Sequence, residues 1–208
     1  IEPLLMKFKD CVAVQQQDTG HYLASMQLAG KIDCPSGKAE VDIKKPDLDP
    51  EVKKYQIPET VTKFEDEIRN HSKEHGQFFD KNGNPVSDVV VGSEKSISLS
   101  DYKHLAKDAT FTHNHPKNGP FSLEDLITAK GFDMAEIRAV TPNGKIYSMK
   151  RGKDGWRGAD IDLVALDVQQ KWGNDIRELY KKDPDVGTEL YFKKIAEQIG
   201  GEYKFFKK

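Results

Sequence analysis

The chain predicts an α/β (α+β) fold: a mixed sheet flanked by helices, with a small β-rich N-terminal extension and C-terminal helices. Three observations lead there. Short runs rich in β-branched and aromatic residues, punctuated by Asn82-Gly83 and Asn143-Gly144, fill the middle of the chain. Helical patterns stand between those runs. Beyond Trp156 apolar residues recur at spacings of three and four, as they do along one face of a helix.

Composition narrows the function classes. Of 208 residues, 32 are Lys or Arg and 34 are Asp or Glu, a formal net charge of -2, so no global field marks nucleic acid or an anionic membrane as a partner. Nucleic acid is therefore disfavoured, although Lys204, Lys207 and Lys208 concentrate positive charge at the C-terminus. No apolar run approaches the roughly 20 residues of a membrane helix, and no membrane partner is expected. Cys11 and Cys34 are too few for a disulfide framework and form no Cys-x-x-Cys pair, which leaves the compartment open with the cytoplasm favoured. The chain starts at Ile1 rather than Met, so we expect a fragment or processed chain.

Residues 1–45 suggest short extended segments with turns at Asp18-Thr19-Gly20 and Pro35-Ser36-Gly37. Residues 46–60 begin with Pro46-Asp47-Leu48-Asp49-Pro50, offer little to bury and are expected to be a linker. A core follows over residues 61–155. It opens with a surface helix over 61–75 on Phe64, Ile68 and His71, ended by Gly76. A strand from Gln77 into the Asn82-Gly83 turn comes next, then short strands over 88–92 and 95–99. Residues 100–107 suit a short helix, and 109–115 a strand stopped by Pro116. Ser122-Leu123-Glu124-Asp125 opens a helix to Lys130, and residues 137–141 and 145–149 are strands around a Pro142-Asn143-Gly144 turn. In residues 156–208, Ile161, Val164, Val168, Trp172, Ile176 and Leu179 mark one helix. Tyr191, Ile195 and Ile199 mark a second one after Pro184, both packed on the core.

The segment from Thr112 to Asp125 carries the chemistry. Side chains alternate along a strand, so His113 and His115 project to one side and can offer two imidazole nitrogens to one metal ion. The loop after Pro116 turns the chain back, and the first turn of the following helix brings Asp125 beside the strand end. Two His and one carboxylate leave a tetrahedral zinc ion one open position, the arrangement of a catalytic site. Hydrolysis also requires a base outside the metal's ligand set. Glu74, just ahead of the strand at Gln77, is the candidate, with Glu67 and Glu65 as weaker alternatives. Ser122 could support an oxyanion. Each part also has an ordinary structural use, because Ser-x-x-Asp caps helices and histidines hydrogen-bond in many settings. His21, His71, His75 and His104 show no ligand spacing.

Taken together, these residues resemble the JAMM (JAB/MPN) zinc metalloprotease family, whose pattern is an upstream Glu, then His-x-His, often followed by Pro, then a spacer and Ser-x-x-Asp. The resemblance covers about residues 64 to 150. It assigns Glu74 to general acid/base catalysis, His113, His115 and Asp125 to zinc, and Ser122 to oxyanion support. It implies a deaminase-like mixed sheet. Six residues separate His115 from Ser122, one fewer than the family's spacer.

The function expected on this resemblance is zinc-dependent hydrolysis of peptide or isopeptide bonds, with a protein or peptide as substrate. The alternative is a non-catalytic JAMM-like assembly module, since Thr-His-Asn-His-Pro followed by Phe-Ser-x-x-Asp also resembles portions of bacteriophage minor head proteins and of mobile-element or toxin proteins. The N-terminal region or the C-terminal helices would then recruit a protein partner. A zinc deaminase is disfavoured by the missing His-x-Glu and Pro-Cys-x-x-Cys motifs.

Overall fold

The computed structural model describes residues 57–158 and 160–207; the expected β-rich appendage, Cys11, Cys34 and most of the expected linker lie outside them. The described chain is a mixed α/β unit built on one sheet. In chain order it runs α1 (Glu59–Ile68), β1 (His75–Phe79), β2 (Val90–Val91), a 3₁₀ turn (Ser100–Tyr102), α2 (Lys103–Ala106) and β3 (Thr110–Asn114). It continues through α3 (Leu123–Gly131), β4 (Glu136–Val140), β5 (Lys145–Arg151), α4 (Ile161–Lys182), α5 (Pro184–Ile199) and β6 (Gly201–Lys207). The strand order is β2-β1-β3-β4-β5-β6, and the β3–β4 pair alone is parallel.

Helix α1 buries Val61, Phe64, Glu65 and Ile68, the i, i+3, i+4, i+7 stripe of an amphipathic helix. It begins at Glu59, inside the expected linker, and stops well short of His75 because no apolar residue continues the stripe after Ile68. Gly76 is a strand residue rather than a helix stop. The Asn82-Gly83 turn forms, with Gly83 at φ +83° and Asp80 Oδ1 accepting from the N–H groups of Asn82 and Asn84. Its return arm is a single bridge, Phe79 to Pro85, and proline has no N–H with which to extend a ladder. The expected strand over 95–99 is absent. Ser93 Oγ accepts from the N–H groups of Lys95 and Ser96 and folds that stretch into a turn, while Leu99 is buried without pairing.

One face of the sheet carries α1 over a small core of Val61, Phe64, Ile68, Phe79, Val140 and Ile146. The other carries the larger core, to which α3 contributes Leu126 and Ala129, α4 Val164, Val168 and Ile176, and α5 Phe192, Ile195 and Ile199. The C-terminal region is not wholly helical. β6 pairs with β5 from Lys145↔Lys207 to Arg151↔Gly201, and Gly200 at φ +73° makes the turn into it from α5. Among the described residues no helix is long and apolar enough to cross a membrane.

Under α1 lies a buried ionic group. Arg138, fully buried, donates Nε to Glu65 Oε1 at 2.6 Å and Nη1 to Glu136 Oε1 at 2.9 Å. Thr112 Oγ1 donates to Glu65 and Ser148 Oγ to Glu136, so both carboxylates are hydrogen-bonded as well as paired.

Candidate metal centre

The site forms where β3 ends. β3 is a central strand with Phe111, Thr112, His113 and Asn114 all buried, and α3 makes the crossover to the parallel strand β4. In open α/β sheets ligands gather outside the carboxyl ends of such strands. His115 stays in line with β3 because its N–H donates to Val140 O at 2.8 Å. The loop that follows is anchored at both ends. The Asn143 N–H donates to Asn118 Oδ1 at 2.9 Å, and Phe121 is buried in the large core beside Tyr147 and Phe192. With Phe121 so placed, α3 begins at Ser122 and its first turn reaches the strand end in spite of the shorter spacer.

Three donors converge there. His113 Nε2 lies 2.8 Å from His115 Nε2 and 3.4 Å from Asp125 Oδ1, and His115 Nε2 lies 3.6 Å from Asp125 Oδ2. A tetrahedral zinc ion with bonds of about 2.0–2.1 Å separates its ligands by about 3.3 Å, and with one atom taken from each residue the three donors lie within 4.8 Å of one another. Tautomer and orientation also suit a metal. The His115 Nδ1–H donates to the Gly119 carbonyl at 3.1 Å, which leaves Nε2 with its lone pair facing the cluster. Asp125 Oδ2 accepts from both the N–H and the hydroxyl of Ser122, leaving Oδ1 toward His113. His113 Nδ1 is buried with no protein partner, so Gly119 orients one ring and packing against Phe111 holds the other. The residues present therefore fit a zinc ion.

Electrostatics puts His115 and Asp125 in their ligating states. Burial, seconded by the charge of His113, lowers the pKa of His115, so its imidazole is neutral at neutral pH. Burial alone would raise Asp125, but the neighbouring imidazoles and the hydrogen bond from Ser122 outweigh it and hold the carboxyl well below the usual range.

Glu74 lies near the same cluster, close enough for His115 and Asp125 to act on its carboxyl. It stands just ahead of β1, beyond the last β1–β3 pair, Gly76 with His113. Glu74 is 6% exposed. Burial raises its carboxyl to about 7, with His115 pulling it down and Asp125 pushing it up, so its protonation senses two of the three donors.

The other sequence candidates fall elsewhere. Glu65 lies fully buried under α1 and is taken by Arg138, and Glu67 is exposed on α1, so neither is placed to act at the cluster. Ser122 is the N-cap of α3, and Asp125 completes a capping box with it. Its hydroxyl proton goes to Asp125, so Ser122 orients a donor of the cluster. Two residues escaped the sequence reading. A Cβ on Gly76 would come within 2.4 Å of Phe111 Cζ and 3.0 Å of His113 Cβ, so this glycine makes the room that His113 occupies. Asn114, between the two histidines, bonds the backbone on either side of Glu74. The strand register could have flagged Gly76; nothing local flagged Asn114. No family model matches the chain, and neither a curated protein nor a solved structure matches it.

Proposed function

We propose that this protein is a zinc-dependent hydrolase of peptide or isopeptide bonds, of the JAMM type. The observation that carries the reading is the convergence of His113 Nε2, His115 Nε2 and a carboxylate oxygen of Asp125 within 4.8 Å of one another. The nearness of the Glu74 carboxyl to His115 and Asp125 supports it.

When bound, zinc supplies Lewis-acid activation of a water molecule at neutral pH and polarises the attacked carbonyl. The protein's own residues do the rest. His113, His115 and Asp125 hold the ion, and the Gly119 carbonyl and Ser122 keep His115 and Asp125 in their ligating geometry. Glu74 takes the proton of the attacking water and delivers it to the departing amine. A carboxyl held near 7 by burial suits both halves of that transfer at neutral pH. Attack forms the C–O bond, and collapse breaks the C–N bond, leaving a carboxylate and an amine.

One observation favours the second reading, a JAMM-like assembly module without turnover. The Ser122 hydroxyl gives its proton to Asp125 at 2.8 Å, and in that arrangement it does not support an oxyanion. Elemental analysis of the protein prepared without added metal tests the first reading. We expect one zinc per chain, lost in His113→Ala, and hydrolysis of peptide or isopeptide substrates that is lost in Glu74→Gln with zinc retained. A chain that holds no zinc even after addition refutes the metallohydrolase.

A further inference from the structure

Glu74 is carried by no regular element. It stands on the step between α1 and β1, so the direction of its side chain depends on the two peptide units that flank its Cα. Both units are held from both sides. From the β2 side, the Glu74 N–H donates to Ser93 O at 2.7 Å, and the Glu74 carbonyl accepts from the Gly92 N–H at 2.8 Å. From the β3 side, the bonds all come from one side chain. Asn114 Nδ2 donates to Lys73 O at 3.1 Å, on the unit entering Glu74, and Asn114 Oδ1 accepts from the His75 N–H at 2.7 Å, on the unit leaving it. The second hydrogen of Nδ2 goes to His71 O at 3.1 Å.

This amide has one orientation. Reversing it would set its oxygen against two carbonyls and its NH₂ against an N–H, so three bonds agree on the same assignment. Asn114 is fully buried, and it stands where the β1–β3 ladder gives out after Gly76↔His113. There its side chain takes over from the backbone ladder. The residue that fixes the turn before β1 is thereby the residue between the two imidazole donors.

We propose that Asn114 is a positioning residue: it fixes the backbone on either side of Glu74 so that the Glu74 carboxyl faces the cluster of His113, His115 and Asp125. This rests on the metallohydrolase reading. Three consecutive residues of one rigid strand end then set both the ligands and the proton acceptor, which is how a base is held to the tolerance that proton transfer demands. Asn114 touches no reacting atom in this scheme and acts through Glu74.

The test uses the full chain loaded with cobalt(II), whose visible d–d spectrum reports the metal's surroundings without any substrate. Wild type, Glu74→Gln, Asn114→Ala, Asn114→Asp and the double variant of Asn114→Ala with Glu74→Gln are titrated with pH. Asn114→Asp keeps the shape and the bond from His75 while removing both donations, so it carries the test should the alanine variant fail to fold. We expect every protein to bind one cobalt. The spectral pH midpoint should move by roughly half a pH unit or more in Glu74→Gln. Both Asn114 variants should move it the same way, with the double variant no different from Glu74→Gln alone. Asn114 midpoints equal to wild type, or a double variant whose shifts add, would overturn the proposal. So would loss of cobalt from folded Asn114 variants, which would make Asn114 a support of the ligands instead. Should wild type bind no cobalt, or Glu74→Gln match wild type, the metallohydrolase reading itself has failed and the positioning role falls with it.

Discussion

Replacing Glu74 by Gln removes from the fold a carboxyl that burial holds protonated to about pH 7, against an ordinary value of 4.5. A group whose folded pKa is raised contributes stability that is fully present below the unfolded value and lost as pH rises through the folded one. For the metal-free protein that window is about pH 4.5 to 7. At ~1.4 kcal/mol for each tenfold change in proton affinity, the loss would reach about 3.5 kcal/mol; partial contact with solvent reduces it to about 2 kcal/mol. Glutamine keeps the shape and never ionises. In urea unfolding of chelator-treated protein, wild type should therefore lose about 2 kcal/mol more than Glu74→Gln between pH 4.5 and pH 8.5. The difference between the two reports Glu74 together with its coupling to His115 and Asp125. Adding zinc should shrink it, because a nearby cation favours the ionised carboxylate. Equal pH dependence in the two metal-free proteins would refute the burial of Glu74 and with it the argument for its role.

Three further outcomes follow from the packing. Arg138→Met leaves the buried Glu65 carboxylate without its cation and should destabilise the fold by about 3–5 kcal/mol in chemical unfolding at pH 7. The glycines of the two C-terminal helices should respond oppositely. A Cβ on Gly187 would lie 2.6–2.7 Å from the backbone and Cβ of Tyr180, so Gly187→Ala should destabilise the fold by roughly 1–3 kcal/mol. Gly173 has open space in mid-helix, so Gly173→Ala should raise stability by about 0.5–1 kcal/mol in the same assay. Gly76→Ala forces the Phe111 ring and His113 Cβ apart, and isothermal titration should show zinc affinity lower by roughly tenfold or more while His115→Ala abolishes binding.

Most strands and helices around the site stand within a residue or two of where the sequence places them. β3, β4, β5, α3 and α5 rest on local signals: short β-branched and aromatic runs bounded by turn residues, Ser122 as a cap, Pro184 at a helix start. The errors have physical reasons. β6 was missed because its tail reads as a lysine-rich end, and only the exposed edge of β5 makes Tyr203 and Phe205 a strand. The strand expected over 95–99 failed because Ser93 offers a turn there that the apolar residues cannot override.

The sequence by itself determined that two histidines project from one strand face and that a capped helix follows within reach. Both depend on residues close in the chain, whose periodicity and capping chemistry act locally. Only the tertiary structure decided which carboxylate joins the cluster. Glu65 and Glu74 stand nine residues apart, yet one is drawn under α1 by Arg138 and the other is held beside the cluster by backbone bonds from Gly92, Ser93 and the Asn114 side chain. That choice is made by pairings such as Arg138 with Glu65 and Asn114 with His75, |i−j| 73 and 39, and no local pattern carries such pairs.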